Sequence, residues 1–145
     1  TQLTYLDLSF NSLSGTIPSS IGSVTQLAHL LLYSNLLSGS IPSSIGSLTQ
    51  LVDLKLGVGS LTGSIPSSFG GLTQLTRLWL GFNKLTGVIP SSIGILTQLA
   101  DLRLSDNSLT GSIPSLLCSI GLVTPLIDCS ELQCDCCSSG SLESC

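Results

Sequence analysis

Charged and aromatic residues recur in this sequence at intervals of 24 residues, so equivalent positions form columns. The first column contains Tyr5, His29, Asp53, Arg77 and Asp101. The second column contains Asp7, Leu31, Lys55, Trp79 and Arg103, and the third contains Phe10, Ser34, Val58, Phe82 and Asp106. Trp, Tyr and Arg dominate the binding energy of protein interfaces. If these columns share one surface, the chemistry that they can perform is recognition of a partner.

A structural role for the same side chains is the alternative interpretation. Asp53, Arg77 and Asp101 would neutralise one another across strands, which is worth about 0.2–1 kcal/mol per pair. Lys55 and Arg103 would stack on Trp79 as cation–π partners. Four acidic and four basic residues sum to zero charge in this part of the chain, so no strongly charged ligand is implied.

Catalysis has little support in the residue pattern. His29 is the only histidine, and no nucleophile at a supporting spacing accompanies it. The glycines punctuate turns and form no phosphate-binding loop. We therefore predict that the chain is not an enzyme and that it uses no cofactor and no metal.

The columns belong to a repeat that runs along most of the chain. A nearly constant half of each unit reads GTIPSSIGSVTQL from Gly15, GSIPSSIGSLTQL from Gly39, GSIPSSFGGLTQL from Gly63 and GVIPSSIGILTQL from Gly87. This half carries no charge, whereas the variable half carries all four basic residues and most of the aromatic ones. Its apolar and columnar positions alternate as in a strand. One unit cannot bury its own leucines, so stacked units must bury them in a continuous core.

These units resemble the plant-type leucine-rich repeat, LxxLxLxxNxLxGxIPxxIGxLxx, over roughly 3–122. The resemblance implies an α/β-type solenoid, a right-handed arc of five repeats that start near 3, 27, 51, 75 and 99. It implies a concave parallel β-sheet and a convex side of turns and 3-10 segments. Asn11, Asn35, Asn83 and Asn107 would hydrogen-bond backbone groups of neighbouring turns. Gly59 replaces the expected Asn, which predicts a looser turn there.

The resemblance also implies a module that recognises a protein or peptide outside the cell, with a glycan as a further alternative ligand. Its predicted contacts on the concave face are Tyr5, Asp7, Phe10, His29, Tyr33, Asp53, Lys55, Arg77, Trp79, Phe82, Asp101, Arg103 and Asp106. One alternative function is inhibition of a cell-wall polysaccharide hydrolase. Another is ice binding by recurring hydroxyls, which include the Ser pairs that start at Ser19, Ser43, Ser67 and Ser91.

Composition limits the partners and the boundaries of the chain. The 145 residues carry a net charge of −4 and no basic patch, which argues against nucleic acid. No apolar run approaches the roughly 20 residues of a membrane span. The sequence begins with Thr1 and shows no signal peptide, so we interpret it as part of a longer chain. We expect a solenoid over 1–122 without an N-terminal cap, with Leu3, Leu6, Leu8 and Ile17 at an open end.

A cysteine-rich segment over 123–145 is the predicted C-terminal cap. The six cysteines are Cys118, Cys129, Cys134, Cys136, Cys137 and Cys145. An even count in a short capping segment predicts three disulfides, for which 15 pairings are open. Zinc is the alternative, but the spacing offers no C-x-x-C pair and no nearby His. Disulfides indicate an oxidising compartment, hence an extracellular or cell-surface location.

Overall fold

The computed structural model describes residues 2–120, 122, 124–127 and 132–133 as stacked turns of a solenoid. Each turn contributes one strand to a first, six-stranded parallel sheet, in the order β1-β3-β5-β7-β9-β12. These strands are β1 Tyr5–Asp7, β3 His29–Leu31, β5 Asp53–Lys55, β7 Arg77–Trp79, β9 Asp101–Arg103 and β12 Thr124–Leu126. The predicted leucine-rich repeat solenoid with a parallel sheet is therefore confirmed.

A second parallel sheet, in the order β10-β8-β6-β4-β2, follows the ladder position of each turn. Its strands are β2 Ser14–Thr16, β4 Leu36–Ser40, β6 Ser60–Gly63, β8 Lys84–Gly87 and β10 Ser108–Leu109. A short third pair joins β11 Gly111–Ser112 to β13 Leu132–Gln133. The sequence analysis treated the second-sheet segments only as extended connections.

Each described turn from the first to the fifth closes with a one-turn 3-10 helix after the Ile-Pro pair. The helices are Ser19–Ser23, Ser43–Ser47, Ser67–Gly71, Ser91–Ile95 and Ser115–Ser119. Consecutive helices pack closely: a Cβ atom added at Gly46 would lie 2.4 Å from the carbonyl oxygen of Ser68. The Ser68 hydroxyl donates a 2.7 Å hydrogen bond to the carbonyl of Ser43. This tight stacking explains why the constant half of each unit admits so little variation.

The apolar core is one continuous stripe between the two sheets and the helices. Leu27, Leu51, Leu75 and Leu99, which begin successive units, are at most 1% exposed. Leu3 and Leu8 of the first turn are exposed, as expected for an end of the solenoid. Ile17 is buried, which corrects the expectation, because it belongs to the same apolar cluster as residues of the next turn.

The predicted asparagine ladder is present wherever a described turn precedes the Asn. The Asn35 side-chain amide donates to the carbonyls of Leu8 and Leu32, both at 2.9 Å, and its oxygen accepts from the Leu13 N–H at 3.0 Å. Asn83 and Asn107 repeat this arrangement. Asn11 is exposed and bonds only carbonyls of its own turn. Gly59 offers no such oxygen to the next equivalent N–H, and the looser turn there stays a prediction.

The predicted cap falls mostly outside the described residues. Cys129, Cys134, Cys136, Cys137 and Cys145 lie there, and of Cys118 only the backbone, in the last 3-10 helix, is described. Disulfide formation and the boundary of the cap therefore stay predictions.

Candidate recognition site

The strand register brings the first predicted column together. Tyr5 pairs with His29, His29 with Asp53, Asp53 with Arg77, and Arg77 with Asp101 along the first sheet. The second column aligns in the same way, with Lys55 beside Trp79 and Trp79 beside Arg103. We call the outward side of these strands the strand face. Parallel pairing without a slip is what turns the 24-residue interval into a surface.

Trp79 lies between two cations at the centre of the strand face. The Lys55 Nζ atom lies 3.8 Å from the ring centroid, and the Arg103 Cζ atom lies 3.9 Å from it on the neighbouring strand. The indole N–H donates a 2.7 Å hydrogen bond to Asp101 Oδ2. The guanidinium of Arg103 also donates to both Asp101 oxygens, at 3.1 and 3.3 Å. These contacts fix the orientation of the indole, so the predicted cation–π stacking is present.

Asp53 is 3% exposed, although strand alternation predicts an outward side chain. Longer neighbours cover it: Arg77 Nη2 lies 2.7 Å from Asp53 Oδ2, with His29 Nδ1 at 3.8 Å and Lys55 Nζ at 4.0 Å. The other carboxylate oxygen is buried without a hydrogen-bond partner among the described residues. A buried charge needs compensation, so Asp53 supports Arg77 and Lys55 from below.

Aromatic rings continue from Trp79 toward the first turn. The Tyr33 and Trp79 centroids lie 6.2 Å apart, and those of Phe10 and Tyr33 lie 5.0 Å apart, both edge to face. Tyr33 and Trp79 stand two turns apart and meet because the intervening turn has Gly57 at the position of Tyr33. Such edge-to-face pairs are worth about 0.5–1.5 kcal/mol beyond their buried area.

The third column leaves the strand geometry altogether. Its five residues have positive φ angles between 53° and 58°, namely Phe10, Ser34, Val58, Phe82 and Asp106. Left-handed backbone is uncommon for residues other than Gly, Asn and Asp, and it is a strained conformation for Val. Phe10, Val58 and Phe82 nevertheless expose 75%, 50% and 57% of their surface. The sequence gave no sign of this conformation, since neither Gly nor Asn marks the position.

An apolar cavity of about 250 Å³ opens between the second and third columns. Its lining consists of Tyr33, Ser34, Gly57, Val58, Trp79, Gly81, Phe82, Arg103 and Ser105. Sequence reasoning missed Gly57 and Gly81, which it classed as turn residues. The signal was present: the other described turns carry Ser9, Tyr33 and Ser105 at that position.

The remaining predicted contacts lie away from this centre. Tyr5 packs on His29, with ring centroids 5.1 Å apart. Asp7 is exposed and accepts the backbone N–H of Ser9 at 2.9 Å. That hydrogen bond, followed by the side-chain hydrogen bond of Ser9, lowers the pKa of Asp7 below its ordinary value. Asp106 is exposed on the fifth turn.

The Ser pairs that suggested ice binding are partly used by the scaffold. The hydroxyls of Ser44, Ser68 and Ser92 each donate to a carbonyl of the preceding turn, at 2.6 to 2.8 Å. Exposed hydroxyls occur instead along the second sheet, at Ser40, Thr62, Ser64 and Thr86. An open groove of about 910 Å³ runs beside them, past the Ile-Pro pairs.

Two functional classes were also searched for in the described part of the chain. Within it, no group of three or more His, Cys, Asp or Glu residues has the geometry of a metal site. None of its helices combines the length and the apolar character of a membrane span.

Comparison with known proteins identifies the class to which this solenoid belongs. A family model described as Leucine rich repeat matches residues 49–109, and a second, described as Leucine Rich Repeat, matches 2–24 and 26–48. No curated protein sequence gives a significant match. The chain belongs to the leucine-rich repeat family, in its plant-type class.

Three solved structures show where similar chains occur. The ectodomain of the Arabidopsis thaliana receptor kinase GASSHO1/SCHENGEN3, in complex with CASPARIAN STRIP INTEGRITY FACTOR 2, has a TM-score of 0.83 and 42% identity over 86% of this chain. The Arabidopsis receptor kinase HAESA, in complex with the peptide hormone IDA and the co-receptor SERK1, has a TM-score of 0.81 and 46% identity over 86%. A plant ice-binding protein has a TM-score of 0.74 and 38% identity over 90%. This chain spans 15%, 21% and 41% of those three chains, respectively.

Proposed function

We propose that this chain is an extracellular recognition module that binds a peptide or protein on the strand face. The observation that carries the proposal is the cluster around Trp79, where a large aromatic side chain is held by Lys55, Asp101 and Arg103 beside an open apolar cavity. Contact residues that are already ordered lose little conformational entropy on binding, so more of the contact energy appears as affinity.

The relatives support a peptide or protein as the partner. HAESA was solved with a peptide hormone and a co-receptor, and none of the three relatives is described as binding a glycan. Receptor ectodomains also support the proposed extracellular location. An inhibitor of a cell-wall hydrolase would be a variant of the same function, with an enzyme as the partner.

Capture of partners from an extracellular extract of the source organism tests the proposal. The baits are the wild-type chain, the Trp79→Ala variant and a control with Lys84→Ala and Val88→Ala on the second sheet, where both residues are exposed. A protein or peptide retained by the wild type and the control, but lost with Trp79→Ala, supports the proposal. Equal retention by all three baits contradicts it. Arg77 is kept intact because its removal would uncover buried Asp53.

Ice binding is a second candidate, favoured by the plant ice-binding relative and by the exposed hydroxyls of the second sheet. Lysines at Thr62 and Thr86 would disrupt that array while leaving the strand face intact. If the chain inhibits ice recrystallisation, we expect the double Thr→Lys variant to lose inhibition and Trp79→Ala to retain it. Absence of inhibition in the wild type would eliminate this candidate.

A further inference from the structure

The cavity beside Trp79 exists because two consecutive turns lack a side chain. Gly57 and Gly81 form its floor, whereas Tyr33 and Ser105 stand at the same unit position on either side. A Cβ atom at Gly57 would lie 3.0 Å from the Gly81 carbonyl oxygen, and one at Gly81 would lie 3.1 Å from that of Ser105. Any side chain at these positions would therefore occupy the cavity or press on the next turn.

Two walls of the cavity are apolar residues in an unfavourable conformation. Val58 and Phe82 have φ angles of 58° and 57° and are half exposed or more. Burial does not repay the backbone strain, since both side chains face solvent. Strained residues of this kind cluster at ligand-binding sites, where the strain is part of the function. Asn would suit the left-handed backbone better at both positions, so folding alone does not account for Val and Phe.

The size of the cavity restricts its occupant. Pockets for drug-sized ligands measure about 300–1,000 Å³, so 250 Å³ suits a single side chain better. The walls are aromatic or aliphatic, and Arg103, the charged member of the lining, is bound on two sides by Asp101. A charged side chain would lose its hydration there without gaining a partner.

The surroundings restrict the segment that carries this side chain. Three basic groups, Lys55, Arg77 and Arg103, lie around Trp79 with two acidic groups, Asp53 and Asp101. The resulting excess of one positive charge favours a partner with acidic residues beside its apolar one. This charge belongs to the centre of the strand face, although the whole chain is negative.

We propose that the cavity binds one large aliphatic or aromatic side chain, of leucine to phenylalanine size, from an acidic peptide segment. The inference rests on the proposed function of the strand face and specifies what that face recognises. Tyr33, Val58, Trp79 and Phe82 would contact the apolar side chain, while Gly57 and Gly81 would let it descend to the backbone of the sheet.

Trp79 is the only tryptophan, so its fluorescence reports directly on this cavity. The probes are the capped peptides Ac-Glu-Leu-Glu-NH2, Ac-Glu-Ser-Glu-NH2 and Ac-Lys-Leu-Lys-NH2. We expect a saturable change with the first, binding at least about tenfold weaker with the Ser peptide, and weaker binding with the Lys peptide. No saturable change with the first peptide, or equal binding of the Leu and Ser peptides, overturns the proposal.

Variants separate occupancy of the cavity from general damage to the fold. Gly81→Leu should fill the cavity and abolish binding of Ac-Glu-Leu-Glu-NH2, whereas Ser9→Leu makes the same change at the same unit position outside the cavity lining. If Gly81→Leu does not fold, the double variant Val58→Asn/Phe82→Asn removes two walls while relieving backbone strain. We expect this variant to have a higher Tm and to bind the peptide at least about tenfold more weakly. Unchanged binding overturns the proposal.

The captured natural partner distinguishes this inference from the proposed function. Loss of that partner with both Trp79→Ala and Gly81→Leu supports the cavity as the binding site. Loss with Trp79→Ala alone overturns the cavity assignment and leaves the proposed function standing. Retention with both overturns both.

Discussion

The 3-10 helical edge and the strand face repeat with the same 24-residue interval but differ in how closely consecutive turns approach. At the edge, a single added methyl group at Gly46 would overlap the Ser68 carbonyl. On the strand face, neighbouring turns carry residues as different as Asp53, Arg77 and Asp101. The difference teaches that uniformity between repeats records clearance between backbones, whereas diversity marks the surface where side chains are free to serve recognition.

The largest expected effect comes from breaking the tight edge. Gly46→Ala should lower the free energy of unfolding by about 3 kcal/mol, because its Cβ atom would lie 2.4 Å from backbone that cannot yield easily. Chemical denaturation measures this change. Ser47→Ala on the same helix is the control, since Ser47 is exposed and its change should stay within about 0.5 kcal/mol. Equal stability of the two variants would remove clearance as the explanation.

The strand face should show the reverse behaviour, with affinity affected more than stability. Trp79→Ala should weaken binding of the captured partner by about 2 kcal/mol or more, as truncation of a central aromatic residue does at interfaces. Calorimetric titration of wild type and variant measures it, beside thermal unfolding of both. A variant that binds normally but unfolds much earlier would make Trp79 a structural residue.

The turn at Gly59 offers a way to extend the ladder across its gap. Gly59→Asn should raise the free energy of unfolding by about 1 kcal/mol, because the new amide can accept the N–H of Leu37 as Asn35 accepts that of Leu13. The nearest obstacle is the Asn83 side-chain oxygen, 3.0 Å from the added Cβ atom. Denaturant unfolding checks the gain, with Gly59→Ala as the control that adds the Cβ atom alone. A Gly59→Asn variant no more stable than Gly59→Ala would argue against the ladder contribution.

The smallest expected effect concerns acid at the first turn. The pKa of Asp7 is lowered chiefly by the hydrogen bond from the Ser9 backbone. The contribution of this carboxylate to stability is therefore present above the ordinary Asp pKa and is lost as the pH falls through the lowered value. A carbon-13 NMR titration of the Asp7 carboxyl group measures its pKa, and Asp7→Asn should remove that part of the acid dependence. An ordinary or raised pKa would contradict the assignment.

Sequence periodicity was sufficient to predict the solenoid and the neighbours in each column. The stack of Lys55, Trp79 and Arg103 followed from register alone, because parallel strands without a slip place equivalent residues side by side. The burial of Asp53 could not be predicted in this way, since it depends on where the longer side chains of Arg77 and Lys55 fold over it. The cavity was missed because it is formed by absent side chains, at Gly57 and Gly81, and by a left-handed backbone at Val58 and Phe82.

The ladder bonds also bear on how this chain acquires its structure. Side-chain hydrogen bonds between consecutive turns join residues 22, 25 or 27 positions apart, as in Asn35 to Leu13, Ser44 to Ser19 and Asn35 to Leu8. The loop that must close is thus about the same length at every turn, and its entropic cost does not grow as turns are added. Folding can begin at one pair of turns and spread to its neighbours. A gain or loss of 24 residues in such a chain changes the length of the array without altering the contacts that any remaining turn makes.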